Sequence, residues 1–167
     1  MTSSLWLCRY PKSAIAAIAI LMASYAPLAH AIAICSVTAT GPVIIYDPSD
    51  SGDNITGVGS VTVSCLILVQ VTPVTYQIQM GLSPGNANYT NRTMKFSGNN
   101  LNYNLYTNPA RNIVWGNGSS GTSTRGDSIA GLLGVTAIPY DIYARIPAHQ
   151  SVTAGVYTDT LNILIVY

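Results

Sequence analysis

The sequence contains no glutamate, and charged residues of any kind make up only 8% of its 167 positions. Gly, Ser, Thr and Asn stand where charges usually would, and these residues favour turns and strands over helix interiors. The balance therefore points to an all-β domain of secreted type and away from a helical one. A net charge of +1 gives no electrostatic case for nucleic acid or an anionic membrane as partner. Low charge combined with high β-propensity makes a chain prone to associate with other chains. Histidine is nearly absent too: there are only His30 and His149, and the first lies in a predicted leader. A length of 167 residues suggests one domain.

Residues 1–31 read as a secretory signal that is removed. Arg9 and Lys12 form the positive start, Ser13–Leu28 is mostly apolar, and Ala29-His30-Ala31 is a small-x-small cleavage site. The apolar run falls short of the ~20 residues that a spanning helix needs, so no permanent membrane span is expected. The mature domain is then 32–167. Cleavage removes Cys8 and leaves Cys35 and Cys65. An even number of cysteines in an oxidising compartment implies one disulfide. It closes a loop of about 31 residues and stabilises by about 3.5–4 kcal/mol on the chain-entropy account.

The stretch Gly155–Tyr167 reads as one long strand. Leu161, Ile163, Ile165 and Tyr167 share one face; Thr160, Asn162, Leu164 and Val166 share the other. A strand this apolar at an open edge invites pairing, so either an earlier strand or another protein is expected to cover it. Earlier strands are expected at Cys35–Tyr46 (broken by Gly41-Pro42), Ser60–Gln70, Thr72–Met80, Arg92–Phe96, Leu101–Thr107, Ile113–Trp115 and Val135–Pro147. Ser97–Asn100 is expected as a four-residue hairpin connection and Gly116–Gly126 as a mobile loop. Seven or eight short strands with regular turns predict an antiparallel β-sandwich without internal repeats or a second domain.

Several pieces in order resemble the spore coat protein U domain family, which includes subunits of archaic chaperone–usher pili. They are Tyr46-Asp47-Pro48, Arg92-Thr93-Met94, Leu101–Thr107, Ala110-Arg111, Val114-Trp115-Gly116, Gly121-Thr122-Ser123 and Tyr143–Ala148. They end with Gly155-Val-Tyr-Thr-Asp-Thr160 and Val166-Tyr167. The resemblance implies an incomplete immunoglobulin-like sandwich that lacks its final strand, with an open groove beside the C-terminal strand. It implies a periplasmic chaperone, an outer-membrane usher and neighbouring pilus subunits as partners. Transit through the periplasm to a surface fimbria, or secretion, follows, with a role in adhesion or biofilm formation. On this pattern Leu161, Ile163, Ile165 and Tyr167 line the groove and contact the chaperone, which holds the carboxylate at Tyr167. A donor strand needs an apolar extension before Cys35, and cleavage after Ala31 leaves only Ile32-Ala33-Ile34, reaching roughly 10 Å. The chain is then expected to accept a strand without donating one, as a tip or terminal subunit, or to stand alone as a secreted coat-type protein binding a surface or sugar.

Other motifs carry less. Gly81-Leu82-Ser83-Pro84-Gly85 matches the G-x-S-x-G esterase pattern, but a polar loop follows where the elbow needs a helix, so a turn is the reading and no catalytic residue is assigned. Asp47, Asp50 and Asp53 offer oxygen ligands for Ca²⁺ without EF-hand spacing; a solvated turn is expected, with no metal and no cofactor. Four Asn-x-Ser/Thr sequons, starting at Asn54, Asn88, Asn91 and Asn117, matter only in a eukaryotic secreted chain. Tyr89, Tyr103, Tyr106, Trp115, Tyr140 and Tyr143 are expected mainly in the core or in cross-strand pairs, with the loop beside Trp115 the best candidate for an exposed contact. The intact mass of the non-reduced mature protein checks two of these readings together. The expected value is that of a chain starting at Ile32 and lacking the two hydrogens lost in forming one disulfide.

Overall fold

The computed structural model describes residues 32–69, 73–84, 86, 88–130 and 133–167; the predicted leader, 1–31, lies outside the described residues. The described strands are β1 (Ile32–Thr40), β2 (Val58–Val69), β3 (Val74–Met80), β4 (Arg92–Phe96), β5 (Asn99–Tyr106), β6 (Arg125–Ile129), β7 (Gly134–Arg145) and β8 (Ile163–Val166). They form an antiparallel five-stranded sheet, β1-β2-β7-β5-β4, and a three-stranded sheet, β6-β3-β8. No helix is present among the described residues, so none is long and apolar enough to cross a membrane.

Side-chain alternation explains how the sheets stack. Val61, Val63, Cys65 and Ile67 of β2 are buried while Leu66 and Leu68 face out. Val74, Tyr76, Ile78 and Met80 of β3 are buried in the same rhythm. Leu101, Tyr103 and Leu105 of β5 and Tyr140, Ile142 and Ala144 of β7 complete the inner layer. The two inner faces make one core, the arrangement of an immunoglobulin-like sandwich. Cys35 and Cys65 sit directly opposite one another on β1 and β2 and are disulfide-bonded.

The middle of the molecule is held by a buried cation. Arg92 is fully buried. It donates to the carbonyls of Gly81 (3.0 Å), Met80 (3.3 Å) and Trp115 (2.6 Å) and to Asn104 Oδ1 (2.7 Å). The Asn104 amide donates in turn to the carbonyls of Tyr89 and Thr90. Burial lowers the Arg92 pKa from its ordinary value, with nearby tyrosines and Asp159 opposing the shift.

Three expectations need correction. The final strand covers only Ile163–Val166, because Gly155 bridges to Tyr46 and Thr158 to Lys95, both away from β8's partner β3. The β4–β5 hairpin turns on two residues, Ser97 (φ 47°) and Gly98 (φ 82°), whose successive positive φ angles match the right-handed twist of the flanking strands. The stretch expected as a mobile loop ends in β6, paired with β3, and Ser123 bridges to Trp115. Trp115 is fully buried and donates its indole N–H to the Ile78 carbonyl at 3.0 Å, a core residue as expected.

Arg92→Met removes the donor from three main-chain carbonyls and from the Asn104 side chain. The expected loss is at least about 3 kcal/mol, from roughly 1–3 kcal/mol per stranded buried group, read as a lower urea midpoint. Lys95→Met, exposed on the same strand, is expected to change stability by less than about 0.5 kcal/mol.

Candidate strand-accepting edge

β8 hydrogen-bonds to β3 on one side only, and among the described strands none pairs with its other edge. The direction of its free groups follows from register. Gly81 N–H donates to the Asn162 carbonyl at 2.8 Å, which makes that pair a hydrogen-bonded one. Such pairs alternate along an antiparallel ladder, so Leu164 and Val166 also aim their main-chain groups at β3. Leu161, Ile163 and Ile165 then aim theirs at the open edge. Met80 agrees: its N–H goes away from β8, to the Gly116 carbonyl at 3.1 Å. Gly81 is required at the crossing, since a Cβ there would lie 2.9 Å from the Asn162 oxygen.

Beside this edge lies a cleft of about 350 Å³. One wall is Leu161 and Ile163 with Val156–Asp159; the other is Ala39 and Gly41–Ile44. The Gly41-Pro42 pair creates the second wall: β1 ends at Thr40, and Pro42 has no N–H to continue a ladder. Met80, Met94, Leu105, Ile142 and Ala144 also line it. Tyr46 closes the ends of both walls together. It bridges to Gly155, and its hydroxyl donates to the Gln150 carbonyl and accepts from the Gln150 N–H, each at 3.0 Å.

The Gly-x-Tyr-x-Asp block gains a physical meaning here. Gly155 lies under the Phe96 ring, where a Cβ would collide. Tyr157 is buried edge-on against both Tyr46 and Phe96. Asp159 Oδ2 accepts from the Ser83 hydroxyl (2.5 Å) and the Tyr103 hydroxyl (2.7 Å), while Oδ1 accepts from the Thr160 N–H (2.8 Å). Ser83 Oγ also accepts the Thr93 N–H at 2.9 Å. Burial, then the bond to Asp159, pushes the Tyr103 hydroxyl well above its ordinary pKa. The segment thus pins itself to β4 and β5 before it turns into β8.

Of the four residues expected at the groove, Leu161 and Ile163 line the cleft. Ile165 packs against the core further along β8. Tyr167 is 71% exposed and lies past the end of β8, outside the cleft lining. The opposite wall, Val43 and Ile44, was missed; the apolar run directly after Gly41-Pro42 was its signal. Ser83 of the esterase-like motif is buried and held between Asp159 and Thr93, and no helix follows it among the described residues. Asp47, Asp50 and Asp53 do not converge. Asp47 caps Ser49, Asp53 pairs with Arg145 at 2.5 Å and accepts the Ala148 N–H, and among the described residues no His, Cys, Asp or Glu cluster is placed to hold a metal.

The chain is similar to known proteins in both sequence and fold. The sequence model of the Spore Coat Protein U domain matches residues 20–164. Protein U of Myxococcus xanthus is 32% identical over 125 residues, covering 70% of this chain and 65% of that protein. A similar fold occurs in the CsuC–CsuE chaperone–tip adhesion subunit pre-assembly complex from the archaic chaperone-usher Csu pili of Acinetobacter baumannii. That match has a TM-score of 0.50 at 16% identity, over 81% of this chain and 40% of the solved one.

Ser83→Ala strands one acceptor site on Asp159 and the Thr93 N–H. The expected cost is about 1–3 kcal/mol in chemical denaturation.

Proposed function

The chain belongs to the Spore Coat Protein U domain family, and on that premise we propose that it is a structural subunit of a bacterial surface fimbria that accepts a strand from a partner. The observation that carries this is the unpaired edge of β8 beside an apolar cleft. An added strand would bond to the free main-chain groups of Leu161, Ile163 and Ile165 and place alternate side chains in the cleft. Main-chain bonds then supply affinity and the pockets supply specificity. A periplasmic chaperone fills the edge first, a neighbouring subunit replaces it after an outer-membrane usher, and the assembled fibre supports adhesion or biofilm formation. Tyr167, exposed past the end of β8, is a further contact for the chaperone. The role is structural rather than enzymatic, since the Ser83 hydroxyl is already committed to Asp159.

One observation favours a tip, terminal or stand-alone form over a shaft subunit. Ile32, Ala33 and Ile34 pair with Val69, Ile67 and Leu66 in β1–β2, so these residues are not free to complement a neighbour. A chain cleaved after Ala31 would accept a strand and offer none.

The test is titration of the purified mature protein with a synthetic peptide of alternating apolar residues. Binding and a raised melting temperature are expected. Ile163→Asp should abolish binding, whereas Leu164→Asp, on the outer face, should leave it within a few-fold. A stable monomer that ignores the peptide overturns the proposal.

A further inference from the structure

The cleft beside β8 is apolar along most of its length and polar at one end. Among its lining residues only Asp159 carries a charge. Asp159 continues the inward-facing series 159, 161, 163, 165, so a strand laid along β8 would meet Ile165, Ile163 and Leu161 and then the carboxylate at the next alternate position.

That carboxylate has acceptor capacity left. An ionised carboxylate offers about four lone-pair sites. Ser83 and Tyr103 occupy Oδ2, and the Thr160 N–H takes one site on Oδ1. The nearby cation does not use the remainder: the Arg92 hydrogen bonds run to Gly81, Met80, Trp115 and Asn104, and none runs to Asp159. The cleft thus holds a carboxylate among mainly apolar residues, with no hydrogen-bonded cation among the described residues. An apolar side chain placed there would bury the free oxygen site without a partner, which is unfavourable. A Lys or Arg would satisfy it with a charge-assisted bond, roughly twice as strong as a neutral one.

We infer that the groove selects a partner strand of alternating apolar residues in which the side chain facing Asp159 is a lysine or arginine. The inference rests on the strand-accepting reading above and adds a specificity determinant and a register to it. Apolar pockets alone discriminate register weakly, whereas a single charge pair at one end penalises every slipped alignment.

The experiment is a peptide scan on the mature protein. A parent peptide of alternating Leu and Val is compared with peptides carrying Lys at each inward position in turn, and with peptides carrying Met or Asp at the preferred position. One position is expected to favour Lys over Met by about tenfold, with Asp weakest there; Lys at other inward positions should weaken binding. Asp159→Asn keeps an acceptor for Ser83 and Tyr103, and is expected to remove the Lys preference, bringing the Lys and Met peptides to within about two-fold of each other. Equal binding of the Lys, Met and Asp peptides overturns the selectivity and leaves strand acceptance standing. Lys preference that persists in Asp159→Asn overturns the role of Asp159. Absence of binding by every peptide overturns strand acceptance, and this inference with it. The wild-type scan decides the selectivity even where Asp159→Asn fails to fold.

Discussion

The buried guanidinium of Arg92 is the constraint on which the rest of the sandwich depends. A cation out of water must be surrounded by acceptors, and this one collects the carbonyls that end β3 and precede the Trp115–Ser123 bridge. By doing so it fixes where β3 stops, where Trp115 enters the core and how Asn104 holds the Tyr89–Thr90 loop. Replacing it by an apolar side chain would take from these carbonyls the donor they now share. The short β4 strand survives at the sheet edge partly because its first residue is this arginine.

From that pin the groove follows. β3 is the only described partner of β8, and Gly81 at its end meets Asn162 closely. Ser83, two residues on, reaches Asp159 and holds the C-terminal segment against β4 and β5. The segment therefore spends Gly155–Asp159 tied to one layer and Ile163–Val166 paired in the other. The cleft is the space this crossing leaves beside the chain that follows β1.

Strand identity was legible wherever alternation was local. β2, β3, β4 and β7 lie within a few residues of their expected bounds, because period-2 burial is written in the side chains themselves. The apolar inward face of β8 was legible for the same reason, and the Cys35–Cys65 pairing was legible because only these two cysteines follow the predicted leader. The length of the last strand was not: residues 155–165 keep one inward face throughout, and alternation does not record which sheet a residue pairs with. β6 escaped because Arg125–Ile129 is polar and takes its strand conformation from β3. Asp159 was legible only as part of the Gly155–Thr160 block; its partners, Ser83 and Tyr103, are far away in sequence. Tyr167 fitted the alternation but lies beyond the ladder.

The disulfide has a mechanical consequence. β1 is an edge strand, held by β2 alone, and its first residue is Ile32. A load applied at Ile32 would peel β1 from β2, breaking hydrogen bonds one after another and not all together. Cys35 is the fourth residue in the line of that tear. Peeling would halt there, at a covalent bond, before it reached Ala39 and the wall of the cleft. The staple thus acts as a rip-stop, confining tension at one end of the domain to a few residues and keeping the cleft beside β8 out of the path of force.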